Sequence, residues 1–107
     1  MARIKESRLM SIMEKFKLDG KTALVTGCSK GIGFGIAKGL AEAGADIIGV
    51  SSTLDIGSEI EKYVESIGRR FHCFSCDFSQ RQNTHNFLRE LGENNLEPNI
   101  LVSNAVL

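Results

Sequence analysis

With 107 residues, 42% of them hydrophobic and 24% charged, and a single proline, the chain has the balance of a folded soluble domain and material for one modest core. Thirteen Lys plus Arg cancel thirteen Asp plus Glu, which removes the basic field that draws a protein to nucleic acid or to an anionic membrane. No stretch approaches a membrane span either, so the expected address is the cytoplasm and the expected partners are neither nucleic acid nor membrane.

Residues 1–15 carry Arg3, Lys5, Arg8 and Lys15 without the apolar run of a signal peptide. They read as a flexible N-terminal extension ahead of a folded region over 16–107; Met10 and Met13 leave open an extension created by an early start codon. The apolar runs then alternate short and long. Thr22–Thr26 is rich in β-formers and too short for a helix, so it is expected to be a buried strand. Ile32, Ile36, Leu40 and Ala43 recur at helical spacing, and Gly44 follows where a left-handed cap belongs. Asp46–Val50 is again short and nearly all apolar, as a parallel strand covered on both faces should be.

Ser58 and Glu61 have the spacing of a capping box, after which Ile60, Val64 and Ile67 mark one helix face that Gly68 ends. Phe71–Cys76 reads as a third strand. Ser79 and Gln82 are expected to cap a third helix presenting Phe87, Leu88 and Leu91, and Ile100–Val102 forms a fourth strand. Strict alternation predicts an α/β fold: a Rossmann-type parallel sheet of about four strands in the order 3-2-1-4, with helices on both faces. The fourth strand would then be an edge whose usual neighbour is missing, and such an edge invites pairing with another chain or another copy.

Between the first strand and the first helix stands Thr26-Gly27-Cys28-Ser29-Lys30-Gly31-Ile32-Gly33. Gly27 suits a tight turn, Gly31 lets backbone approach a pyrophosphate, and Gly33 lets the helix lie close to the strand. Free N–H groups and the helix dipole favour an anion there. A glycine-rich turn placed between strand and helix is a specific signal; the bland alternative is a turn that holds no ligand.

This loop, the Leu18–Gly27 stretch before it, Cys76-Asp77-Phe78 after the third strand and Ile100–Ala105 resemble the short-chain dehydrogenase/reductase family from about Phe16 to Leu107. Within that family, Phe16–Lys21, Gly44–Val50 and Gly68–Phe71 look most like bacterial sugar-acid dehydrogenases of the 2-deoxy-D-gluconate 3-dehydrogenase or gluconate 5-dehydrogenase type. The resemblance implies binding of NAD or NADP and hydride transfer between nicotinamide and an alcohol or ketone.

It carries cofactor contacts onto Gly27, Ser29, Lys30, Gly31, Ile32 and Gly33, onto Ser51 and Ser52, and onto Asp77, Phe78, Asn104 and Ala105. The Asp77 carboxylate would accept from the adenine amino group while the Phe78 N–H faces the ring; the bland alternative is that Asp77 starts a turn. Ser103 replaces the family's first Asn and Val106 its Gly, so the pocket is expected to be distorted at that end. The NAD-selecting carboxylate after the second strand is absent from Ser51, Ser52 and Thr53, and Lys30 could pair with a 2′-phosphate, yet the sugar-acid dehydrogenases resembled commonly use NAD; the choice stays open.

The same family uses a Tyr-x-x-x-Lys pair and a Ser for proton transfer. The one tyrosine here, Tyr63, is followed four positions on by Ile67, so no catalytic residue is assigned and the chain is expected to be inactive alone. Cys73 and Cys76 have redox-motif spacing but should point to opposite faces of a strand, and free thiols are expected. Three readings follow: the cofactor-binding portion of such an oxidoreductase; a non-catalytic nucleotide-binding or interaction module, or an inactive gene remnant; and, least favoured, a thiol redox module.

Overall fold

Four short runs rich in apolar residues pair side by side as a parallel sheet, which buries the two central runs, 22–26 and 46–51, on both faces and leaves the outer two partly open. The computed structural model describes residues 15–29, 31–52 and 57–104. The expectations for residues 1–14, Lys30, Thr53, Ala105 and Val106 lie outside the described residues. In chain order the elements are β1 (Thr22–Thr26), α1 (Gly31–Glu42), β2 (Asp46–Ser51), α2 (Glu59–Ser66), β3 (Phe71–Ser75), α3 (Arg81–Glu93) and β4 (Ile100–Val102). The strands are parallel in the order β3-β2-β1-β4, which is the expected half of a doubly wound sheet.

Alternation along each strand sorts the core into two layers. Ala23, Val25, Ile47 and Phe71 turn to one face, where Ala37 and Ala41 of α1 and Ile60 and Val64 of α2 meet them. Leu24, Ile48 and Val50 turn to the other face, against Phe87 and Leu91 of α3. Phe74 and Phe78 pack edge-on to the Phe87 ring, with centroids 5.4 and 5.9 Å away. The small residues of α1 let its backbone press close to β1 and β2, whereas α3 stands off the sheet on larger side chains.

Three local expectations are corrected. Ile67 does not complete the buried face of α2; it is the C-cap residue and is exposed. The Ser58 hydroxyl does cap α2 by accepting from the Glu61 N–H, but the Glu61 carboxylate returns to the Gly57 N–H instead of that of Ser58. Ser79 does not cap α3. Its N–H and hydroxyl both donate to Asp77 Oδ1, at 3.0 and 2.6 Å, and this local turn uses the groups that a cap would need. Gln80 becomes the N-cap without a side-chain bond, so α3 starts at Arg81.

Candidate functional site

At the carboxyl ends of β1, β2 and β4 the backbone is fixed from several sides. The Gly27 N–H donates to the Val50 carbonyl at 2.8 Å, which ties the turn after β1 to β2, and Gly27 takes a left-handed φ of 63°. Helix α1 opens at Gly31, also left-handed at 65°, and a Cβ built there would meet nothing within 4 Å. That position is both difficult for an L side chain and open above, which is what a phosphate approaching the first-turn N–H groups requires.

Gly33 is the opposite case. A Cβ there would lie 2.1 Å from the Gly27 carbonyl oxygen and 2.6 Å from Asn104 Nδ2, so the helix can sit this close to the turn only without a side chain. Asn104 closes the arrangement from β4: its N–H donates to Thr26 Oγ1 at 2.8 Å and its amide Nδ2 to the Gly27 carbonyl at 3.5 Å. Ile32, in the first turn of α1, is exposed beside this cradle.

Where β2 ends, the Ser51 and Ser29 hydroxyls stand 3.4 Å apart, joining the loop to the second strand. Ser52 is exposed and shares a polar cavity of about 360 Å³ with Asp77, Asn83, Asn86 and Glu90. Asp77 is exposed too, and the two bonds from Ser79 hold its carboxyl below the usual value. The turn reading of Asp77 is therefore visible in the structure, and it involves Oδ1. Phe78 anchors its ring against α3, which fixes the backbone that follows Asp77.

Sequence reasoning assigned nothing to Thr26, Cys28 or Gly49. Besides accepting from Asn104, the Thr26 hydroxyl donates to the Val102 carbonyl at 3.4 Å, so it pins β4 to β1. Cys28 turns beneath the loop, fully buried; a Cβ on Gly49 would lie 2.9 Å from its Sγ and 2.3 Å from Phe71 Cζ. Burial pushes the Cys28 thiol up to about 11. A glycine inside a strand was the available signal for such a close approach, but its partner is distant in sequence.

Tyr63 lies on α2 with its hydroxyl donating to Glu42 of α1, and that carboxylate raises its pKa. Cys73 packs in the α1–α2 layer and Cys76, just past β3, in the α3 layer, so the sheet separates the two thiols as expected. Among the described residues no group of three His, Cys, Asp or Glu could hold a metal ion, and no helix is long and apolar enough to cross a membrane.

Residues 21–107 match the family model described as short chain dehydrogenase. The 2-dehydro-3-deoxy-D-gluconate 5-dehydrogenase of Pseudoalteromonas atlantica is 54% identical over 95 residues, covering 88% of this chain and 37% of that protein. The enzyme of the same name from Bacillus subtilis is 51% identical over 92 residues, covering 86% of this chain and 35% of its own. Among solved structures, a 3-oxoacyl (acyl-carrier-protein) reductase from Agrobacterium tumefaciens with NADP bound superposes with a TM-score of 0.80 at 31% identity, covering 96% of this chain and 40% of that one. The chain thus spans a little over a third of the length of the curated relatives it matches.

Proposed function

The chain belongs to the short-chain dehydrogenase family, and we propose that its glycine loop cradles the pyrophosphate of NAD or NADP as the cofactor-binding portion of a sugar-acid oxidoreductase. The observation that carries this reading is Gly31: left-handed, at the mouth of α1, with open space where a side chain would stand. Backbone N–H groups of the first helical turn would hold the phosphates there, Gly33 and Asn104 would keep the turn shaped for them, and Ile32 would shield them from water. Ser29 and Ser51 would face the adenosine ribose, with Ser52, Asp77 and the Phe78 backbone toward the adenine.

A bound nicotinamide supplies the hydride acceptor or donor for an alcohol or ketone. The substrate class, a sugar acid, is supported by the names of the relatives. The 107-residue chain by itself is expected to bind without turnover, because its one tyrosine sits on α2 committed to Glu42. A cytoplasmic address belongs to this reading and is supported by three free thiols, which suit a reducing compartment.

Calorimetric titration with NAD and then NADP tests the proposal, alongside a Gly31→Val variant whose fold is checked by circular dichroism. Binding of either dinucleotide that disappears in the folded variant is the expected result. A chain that folds cooperatively and binds neither dinucleotide overturns the reading, and a dehydrogenase rate from the purified chain overturns the expectation of inactivity.

A further inference from the structure

The glycine turn carries a thiol that the cofactor reading leaves unused. Cys28 is fully buried beneath the turn, and its Sγ lies 2.9 Å from the place that a Cβ on Gly49 would take. The sulfur thus stands over β2 where position 49 has no side chain of its own. The register partner of Gly49 on β3 is Cys73, and Cys28 and Cys73 pack in the same layer, on the α1–α2 face of the sheet. A group on β2 at this level is the lateral neighbour of Cys73, and neighbouring strands lie about 4.8 Å apart, so the Cys28 sulfur comes to roughly one strand spacing from the Cys73 Cβ.

The two thiols also feel each other's charge: burial pushes the Cys28 thiol up to about 11, and Cys73 adds to that rise. Cys76 stays out of this pairing, since it packs against α3 on the opposite face. Cys73 is only half-buried, so a small oxidant reaches it while Cys28 is covered.

We propose that Cys28 and Cys73 are a redox pair that closes into a disulfide under a hydroperoxide and thereby shuts the glycine cradle. The Cys73 thiolate attacks one peroxide oxygen and the O–O bond breaks, leaving a sulfenic acid on Cys73 and releasing the other oxygen as water or an alcohol. The Cys28 sulfur then displaces the sulfenic hydroxyl, which takes up the Cys28 proton and leaves as water. The two thiols give up two electrons and two protons, and the peroxide receives both. A thiol reductant reverses the bond by exchange.

A disulfide holds its two Cβ atoms about 3.8 Å apart, tighter than neighbouring strands lie, so one side must give. Strand β3 is fixed by its ladder to β2 from Phe71 to Ser75. The turn is held to β2 only by the Gly27 N–H on the Val50 carbonyl and the looser contact of Ser29 with Ser51, so the turn is the side that moves. Gly33 and Asn104 abut the Gly27 carbonyl, and a displaced turn therefore carries the N–H groups of the cradle off their aim. The loss of binding rests on the proposed dinucleotide site, whereas the bond does not.

The test treats the 107-residue chain with hydrogen peroxide, alkylates the remaining thiols and maps the product by mass spectrometry. Expected is an intramolecular bond between Cys28 and Cys73 that forms in Cys76→Ser, is absent from Cys73→Ser and Cys28→Ala, and reverses with dithiothreitol. Melting curves check that each variant is folded; Cys73 is half-buried, so Cys73→Ser removes the bond with the smaller disturbance. Titration with NAD or NADP should show affinity down by about tenfold or more after oxidation, and no change in Cys73→Ser treated alike. A bond between Cys73 and Cys76, a link between two copies, or an overoxidised Cys73 beside an intact Cys28 overturns the proposal, as does undiminished binding by the bonded chain. If the reduced chain binds neither dinucleotide, the cradle reading fails by itself, and hydrogen exchange at the Gly27 and Ser29 amides decides the seal: a change on oxidation upholds it, and none overturns it.

Discussion

The two faces of the sheet are built to different standards. On the α1–α2 face the contacts are close and made by small groups: Gly33 lies against the Gly27 carbonyl, Cys28 under the loop against Gly49, and Ala37 and Ala41 against the strands. On the α3 face one helix stands off on Phe87 and Leu91, and Leu88 and Leu101 are left to solvent. The glycine cradle depends on the first face and on Asn104 and Thr26, which bridge β4 to β1. Close packing that fixes the backbone is placed under the glycine turn, where a phosphate would meet backbone N–H groups, and the looser face carries only the backbone after Asp77, through the Phe78 ring against Phe87.

The largest expected effect is at the tightest contact. Gly33→Val would put a Cβ 2.1 Å from the Gly27 oxygen, so the turn must move; dinucleotide binding should vanish and stability fall by about 3 kcal/mol or more by urea unfolding. A variant that binds normally would break the link between the closed face and the cradle. Ile47→Ala, fully buried on that face, should cost about 2 to 5 kcal/mol by the same measurement.

Alkaline pH sharpens the comparison further. Burial raises the Cys28 thiol to about 11 from its ordinary 9.0, so the folded value lies above the unfolded one. The protonated thiol therefore contributes stability fully below pH 9.0, and that contribution is lost as pH rises through about 11. Urea midpoints should fall over this window, and the fall should be shallower in Cys28→Ala. Tyr63, raised by its bond to Glu42, adds a decline of the same sign, which Tyr63→Phe isolates. An unchanged slope in Cys28→Ala would mean that the thiol is not held beneath the loop.

Most of this architecture was legible because periodicity reports which residues are hidden. Thr22–Thr26 and Ile100–Val102 form strands with the expected limits, and the order 3-2-1-4 is the one that the Rossmann pattern supplies, since alternation and handedness alone also allow others. The glycine spacing identified the turn and the helix that leaves it. Pairwise contacts between distant residues were not legible: nothing in the sequence couples Cys28 to Gly49, or Thr26 to Asn104. Local competition was missed as well, since Ser79 could cap α3 or bond Asp77, and only the turn geometry decides. Ile67 sat at the right spacing for burial, but α2 ends before it.

The helix cap at Ser58 sets the scale of smaller effects: Ser58→Ala should lower stability by about 1 kcal/mol, because the Glu61 N–H loses its acceptor while the Glu61 carboxylate keeps its own bond to Gly57. Smaller still is the open face. Leu88→Ala and Leu101→Ala each remove side chains that are mostly in water already, so the isolated monomer should lose no more than about 0.5 kcal/mol for either. The contrast with Ile47→Ala, also a loss of aliphatic bulk, then measures how much of each face is closed. If either leucine variant instead costs more than about 1 kcal/mol, the side chain is covered in solution. Repeating the unfolding at tenfold lower protein concentration identifies the cover: a midpoint that falls on dilution is a second copy, and one that stays is the chain itself.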